Sequence, residues 1–194
     1  MLTRLMLSTR NWHAQVDETW HELLHPKVTI QAYATRLARA YGFMAPFESA
    51  CKYTPKLARA LTFQVSRAGL IAQDLLALNH DASRLAGLPY CMSITPFGTV
   101  PQAVGWLYVV ERSTLLHETL RRHLVARIPV SEACTYLAAH AGHVSDHWHA
   151  FGRTLERIGA TPETRDEIVA GANEGFAIAA QWYRYGEDQV RKQA

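Results

Sequence analysis

The sequence predicts an all-α protein, a single domain folded as a bundle of about seven or eight helices. Apolar residues recur at spacings of three and four along almost the whole chain, and alternating runs of β-branched residues are missing. A length of 194 residues with 48% hydrophobic residues is sufficient for one continuous core. No linker, repeat or low-complexity segment divides the sequence, so we expect one domain over residues 1–194.

Composition and charge argue against several classes of protein. The apolar runs are much shorter than the roughly 18 to 20 residues of a membrane span, and no cleavage site follows the first ten residues. The three cysteines, Cys51, Cys91 and Cys134, lie far apart and form no C-x-x-C pair, which argues against disulfides and thiolate zinc. The net charge of +3 is dispersed, unlike that of most nucleic-acid-binding domains. We therefore expect a cytoplasmic protein without a membrane span.

Proline, glycine and capping residues predict where the helices begin and end. Thr29 has the residue type of an N-cap, and Thr54 followed by Pro55 fits a cap with proline in the first turn. Pro46 predicts a kink or a break, and Gly142 predicts an interruption. The predicted helices cover about residues 3–25, 29–52, 54–78, 101–127, 131–158 and 162–190, with 79–98 as the longest loop.

Helical spacing brings His13 and Asp17 to one face of the first predicted helix. A carboxylate four residues after a histidine can accept the imidazole Nδ1–H and leave Nε2 available to a metal. The same spacing also fits a surface histidine with a neighbouring acid, so spacing alone leaves both interpretations open.

A second group of histidines, His140, His143 and His147, shares one side of a predicted helix, but a glycine interrupts that helix. A polar face with packed imidazoles competes there with a metal site. The His-Glu pair at His117 and Glu118 does not continue into H-E-x-x-H, so a zinc hydrolase is unsupported. The residues alone indicate a helical domain in which a histidine-bound cofactor is a hypothesis.

Two segments are the most distinctive of the sequence: LMLSTRNWHAQVDE at residues 5–18 and GWLYVVERSTLLHETL at residues 105–120. DLLAL at 74–78 and HWHAFGRTLERIG at 147–159 accompany them in order. Together they resemble the haem oxygenase family, in particular its short bacterial biliverdin-forming branch. The first is similar to the family's opening helix, in which a Thr-basic-x-x-His stretch supplies the proximal haem ligand. The second is similar to the distal helix, whose usual form is close to G-x-L-Y-V-L-E-G-S-T-L-G-G.

The resemblance implies the all-α haem oxygenase-like fold and the oxidative cleavage of haem to biliverdin, carbon monoxide and iron. Haem is then both cofactor and substrate, held between the proximal and distal helices. His13 is implied as the iron ligand, with Asp17 as the acid that orients it. The resemblance also implies electrons from a reductase or ferredoxin and, in relatives of this branch, transfer of the bilin to a photoreceptor.

The distal segment departs from the family pattern, because Arg112, Leu116 and His117 stand where the family has glycines. A glycine lets the helix backbone lie against the porphyrin, so side chains at these positions take up space that haem and oxygen need. Met6 stands where the family often has a basic residue for a haem propionate, which leaves Arg4, Arg10 and Arg184 as candidates.

The resemblance and the departures from it predict three groups of candidate site residues. The candidate catalytic residues are Ser113 and Thr114, the candidate cofactor-binding residues are His13, Asp17, Arg10, Tyr108, Arg112, Leu116, His117 and Arg184, and the candidate iron ligands are His13 and His117.

Four interpretations remain open. The first is a working haem oxygenase. The second is a non-catalytic haem or bilin binder that senses, stores or carries a tetrapyrrole, with His117 as a second axial ligand. The third is a non-haem di-iron oxidase, which needs paired carboxylate–histidine motifs that we cannot assemble from Glu111, Glu118, His140 and His143. The fourth is a helical domain without a cofactor.

Overall fold

The computed structural model describes residues 1–57, 66–139 and 142–191, with side chains described as far as residue 184. All regular structure in these ranges is helical, which confirms the predicted all-α class. The α-helices are α1 (Leu2–His21), α2 (Ile30–Tyr53), α3 (Arg67–Ala77), α4 (Ala82–Ala86), α5 (Val100–Ser113), α6 (His117–Val125), α7 (Thr135–Ala138), α8 (Val144–Ile158) and α9 (Pro162–Arg191). Among them, none combines the length and the hydropathy needed to cross a membrane.

Several predicted helix ends are confirmed. The Thr29 hydroxyl accepts a hydrogen bond from the backbone N–H of Ala32 at 3.1 Å and so caps α2. Pro46 lies within α2, which continues to Tyr53, so the helix is not broken there. Gly142 has a φ of +79°, in the left-handed region, and it separates α7 from α8.

The prediction of one continuous helix over residues 54–78 is wrong. Thr54 lies at the carboxyl end of α2, where its hydroxyl donates to the carbonyl of Ala50 at 2.7 Å. Lys56 follows with a φ of +67°, which turns the chain away from the helix. Leu57 is helical again, and residues 58–65 of the predicted helix lie outside the described residues. Ser66 is not helical, and its hydroxyl caps α3, which begins at Arg67.

The predicted helix over 101–127 is divided in the structure. It ends as α5 at Ser113, passes through a 3₁₀ turn at Thr114–Leu116 and resumes as α6 at His117. The turn coincides with the segment in which the sequence departs from the glycine-rich pattern. The backbone therefore changes its helical geometry at the residues where the site is expected.

Helix α5 lies in the centre of the bundle, and its residues 103–111 are all buried. A Cβ atom added to Gly105 would lie 2.2 Å from the carbonyl oxygen of Ile168 on α9. A Cβ added to Gly171 on α9 would lie 2.5 Å from the carbonyl oxygen of Gln102 on α5. The two backbones are therefore in direct contact, and this contact fixes the position of α5 relative to α9. Because α1 also packs on α9, the contact fixes the position of α5 relative to α1 as well.

We expect Gly105→Ala to lower the free energy of unfolding by about 1 to 3 kcal/mol, because α5 and α9 must move apart to admit the methyl group. Gly87→Ala is the matched control, since the added Cβ would lie at least 3.5 Å from its neighbours and the φ of Gly87 is −84°. Urea unfolding of both variants tests this. Equal stability of the two would contradict the close approach of α5 and α9.

Candidate functional site

His13 is half-buried on α1 and packs against α9, with its ring centroid 5.4 Å from that of Phe176. Its Nε2 lies 2.9 Å from the hydroxyl of Thr9. That hydroxyl donates its hydrogen to the carbonyl of Leu5 at 2.7 Å, so it accepts from Nε2–H of His13. Burial lowers the pKa of His13, and the nearby charge of Arg112 lowers it further. The imidazole is therefore neutral near pH 7, the form that binds metals.

A bidentate ion pair joins α1 to α5 beside His13. The two terminal nitrogens of Arg112 donate to the two carboxylate oxygens of Asp17 at 2.6 and 2.7 Å. Arg112 is 17% and Asp17 14% exposed. Asp17 lies one turn after His13, but in the structure its hydrogen bonds go to Arg112. The predicted hydrogen bond from His13 Nδ1–H to Asp17 is replaced by this ion pair.

A small cavity of about 20 Å³ lies in the core where α1, α2, α5, α7 and α9 meet. A single water needs roughly 10 to 15 Å³ on this measure, whereas ligand pockets measure about 300 to 1,000 Å³. Its lining includes Val16 and Trp20 of α1 and Val109, Val110 and Ser113 of α5. This cavity is too small for a tetrapyrrole, and His13, Asp17 and Arg112 are not part of its lining.

Leu116 and His117, which stand where glycines were expected, pack into the protein. Leu116 is half-buried against the core, and His117 is only 3% exposed. The ring of His117 lies 4.6 Å from that of Tyr136 and 6.4 Å from that of Trp20, measured between centroids. Trp20 comes seven residues after His13 on α1, about 10 Å farther along the helix axis. His117 therefore packs beside a part of α1 remote from His13, and the structure does not bring the two predicted iron ligands together.

The predicted catalytic hydroxyls make local hydrogen bonds at the end of α5. Ser113 and Thr114 each donate to the carbonyl three residues earlier, at 2.7 Å in both cases. Ser113 lines the cavity, whereas Thr114 is buried outside its lining. Tyr108 is also buried and packs edge-on against Trp148 and Phe176. A catalytic role for the two hydroxyls stays a prediction.

The other cations predicted near the cofactor are exposed. Arg10 lies one turn before His13 with an exposed side chain, and Arg184 on α9 is exposed and donates to a carbonyl of its own helix. Arg4 is paired with Asp166. Arg112 is thus the cation that acts on His13 in the structure.

The family model described as heme oxygenase matches residues 1–185 of the sequence. The chain belongs to the haem oxygenase family. It is similar to the NO- and CO-bound haem oxygenase of Neisseria meningitidis, with 25% sequence identity and a TM-score of 0.73. That match covers 95% of this chain and 90% of the other. A search of curated proteins found no match. The resemblance inferred from the two motifs is confirmed.

Haem, the group that binds to haem oxygenases, fits the donors of this site. His13 offers a neutral imidazole, and Arg112 holds a guanidinium in bidentate geometry beside it, as a carboxylate requires. The cavity among the helices is too small for the ring, and the guanidinium is paired with Asp17. The donors therefore suit haem, and the ring needs more space than that cavity provides.

A buried charged group on α5 is the main feature that the sequence did not predict. Glu111 is fully buried, and its two oxygens bind Arg67 on α3, at 2.7 Å, and Nε2 of His147 on α8. Burial by itself raises the pKa of Glu111, but the charge of Arg67 and the hydrogen bonds outweigh it, so the pKa lies below its ordinary value. The register of Glu111 in the distal motif was visible in the sequence, but its partner 44 residues away was not.

The same contacts weaken the di-iron interpretation. Glu111 is committed to Arg67 and His147, and Glu118 on α6 pairs with Arg121. His143 is exposed, and His140 lies outside the described residues. Within the part of the chain that the structure describes, no group of three or more His, Cys, Asp or Glu side chains is suitable for a metal ion.

We expect Glu111→Gln to lower the free energy of unfolding at pH 7 by about 3 to 5 kcal/mol, because it leaves the buried guanidinium of Arg67 without a counter-charge. Glu118→Gln makes the same chemical change in an exposed ion pair and should have a much smaller effect. Urea unfolding of both variants measures the difference. Similar losses would show that Arg67 finds another partner.

The contribution of Glu111 should also depend on pH. Because its folded pKa lies below the ordinary value of 4.5, the stabilisation is fully present above pH 4.5 and is lost as the pH falls through the folded pKa. The difference in unfolding free energy between the wild type and Glu111→Gln should therefore shrink as the pH is lowered from 5 towards 3. A difference that stays constant over that range would mean that the charge of Glu111 does not stabilise the fold.

Proposed function

We propose that this protein binds haem through His13 and does not open its ring. The observation that carries the proposal is the ion pair between Arg112 and Asp17. Arg112 stands where the resemblance implies glycine, and its side chain extends from the distal helix to the proximal helix beside the expected iron ligand. In family members oxygen binds on the distal side of the haem. In this sequence the side chain of Arg112 extends into that side.

The proximal half of the site supports binding. His13 falls on the family's ligand position, is half-buried and is neutral near pH 7. Bound haem would supply an iron that exchanges electrons and takes axial ligands. Ligation by His13 requires Nε2 to give up its hydrogen bond with Thr9 and the ring proton to move to Nδ1, which frees the lone pair of Nε2 for the iron.

The distal half argues against turnover. The three distal side chains are held by contacts: Arg112 by Asp17, Leu116 by the core and His117 by Tyr136. Haem can displace them only by breaking these contacts, which costs free energy. Glycine at these positions would leave the backbone next to the ring, whereas these three side chains keep it at a distance. A bound tetrapyrrole that is not opened would be stored, carried or sensed.

Haem oxygenase activity is the second candidate, and the family match over residues 1–185 favours it. It requires the distal segment to withdraw from α1, and the 3₁₀ turn at Thr114–Leu116 is a break in the helix at which such a movement can occur. In that case a reductase or ferredoxin would supply electrons, and a bilin-accepting photoreceptor would be a suitable recipient of the product.

A titration with hemin tests the binding proposal. We expect a saturable Soret band at a ratio of one haem per chain. His13→Ala should weaken binding by more than about tenfold, since even the outer partners of metal ligands contribute about 10- to 100-fold. His21→Ala is the matched control, because His21 lies on the same helix and is exposed. Its titration should match that of the wild type.

Three results would contradict the proposal. No saturable Soret band would exclude a haem site, and equal affinities of the wild type and His13→Ala would place haem elsewhere. A loss that is equal in the two histidine variants would indicate a general disturbance of α1. Urea unfolding of each variant establishes that the comparison is made between folded proteins.

A further inference from the structure

We infer that Arg112 is the carboxylate-binding residue of this site and that Asp17 holds its place until a ligand arrives. A propionate of the bound tetrapyrrole would replace Asp17 as the bidentate partner of Arg112. The inference rests on the proposed function, because it concerns how the same site recognises its ligand.

The geometry of the existing ion pair is the first support. Both terminal nitrogens of Arg112 donate to the two oxygens of one carboxylate, so the guanidinium already presents its fork to a planar anion. This arrangement is specific to carboxylates and similar anions, and charge-assisted bidentate pairs are among the stronger hydrogen-bonded contacts.

The burial of Arg112 is the second support. With 17% of its side chain exposed, Arg112 is costly to leave without an anion. A ring that separates Arg112 from Asp17 would leave the guanidinium without its anion. A ligand that carries its own carboxylate compensates for the lost partner, whereas an uncharged ring of the same size does not.

The other arginines are less suited to this task. Arg10 and Arg184 are exposed, and Arg4 is exposed and paired with Asp166. An exposed cation contributes little to the selection of a ligand, because water and salt screen its charge. Arg112 is the partly buried guanidinium next to His13, so we expect Arg112 to distinguish ligands with a carboxylate from ligands without one.

The exchange has a consequence for His13. Asp17 follows His13 by four residues on α1, and once released from Arg112 its carboxylate can accept the imidazole Nδ1–H. A carboxylate in that position orients a metal-binding histidine and strengthens it as a ligand. Recognition of the propionate and orientation of the iron ligand are therefore coupled through one side chain.

Haem and its dimethyl ester, delivered from the same co-solvent, provide the test, because the ester has the same ring and iron but no carboxylate. The wild type should bind haem about tenfold more tightly than the ester. Asp17→Asn removes the charge that competes for Arg112, while its amide oxygen can still accept the Nδ1–H of His13, so this variant should bind haem more tightly than the wild type does. Arg112→Gln should bind haem more weakly and should lose the preference over the ester.

Opposite effects of two variants that break the same ion pair distinguish this inference from a purely structural role. If the pair only holds α1 to α5, both variants will shift haem affinity in the same direction. Glu18→Gln is the matched control, since Glu18 is an exposed neighbour of Asp17 and its loss changes the net charge equally. It should leave both affinities unchanged.

The outcomes distinguish a failure of haem binding from a failure of the exchange between Asp17 and the propionate. Absence of a Soret band with either porphyrin overturns the proposed function and this inference with it. Saturable binding of haem and ester with equal affinity by the wild type overturns only the inference, and it does so without any variant. A shift of both substitutions in the same direction, with unfolding midpoints that confirm folded proteins, also overturns the inference.

Discussion

The ion pair between Arg112 and Asp17 depends on how closely α5 is held to its neighbours. Gly105 allows the backbone of α5 to touch that of α9, and α1 packs on the same helix, so α5 and α1 lie near each other along one side of α9. A long side chain at the carboxyl end of α5 then reaches the carboxylate on α1. That contact joins the distal and proximal helices beside His13.

The distal substitutions are integrated into the protein. Arg112 binds Asp17, Leu116 packs against the core, and His117 packs against the rings of Trp20 and Tyr136. The three side chains that stand at the positions of family glycines thus each pack in a different environment of the bundle. This agreement between sequence and packing is expected of a stable arrangement of the segment, and it favours binding without ring opening.

Local features of the fold could be predicted from the sequence because their causes are local. The 3.6-residue periodicity, the Thr29 cap and the interruption at Gly142 involve neighbours in the chain, and the structure contains all three. The continuous helix predicted over 54–78 was wrong because the left-handed Lys56 turns the chain just after the cap-like Thr54, and because Ser66 begins a new helix. Such backbone conformations outside glycine leave little trace in a sequence.

The site was predictable only in part, since its decisive contacts join distant residues. His13 and the distal segment followed from motifs, but the partner of Asp17 is 95 residues away and that of Glu111 is 44 residues away. Spacing on one helix paired Asp17 with His13, and it could not reveal that a guanidinium from another helix competes for the same carboxylate. The sequence therefore left both leading interpretations open, the working enzyme and the non-catalytic binder.

The fate of bound haem under reducing conditions in air tests the central claim most directly. The one-to-one haem complex would be mixed with an electron donor in aerated buffer containing catalase, and both the Soret band and the extracted pigment would be followed. Our account predicts that the Soret band persists and that the pigment recovered is haem. Stoichiometric formation of biliverdin with release of carbon monoxide would contradict it and would establish the protein as a working haem oxygenase.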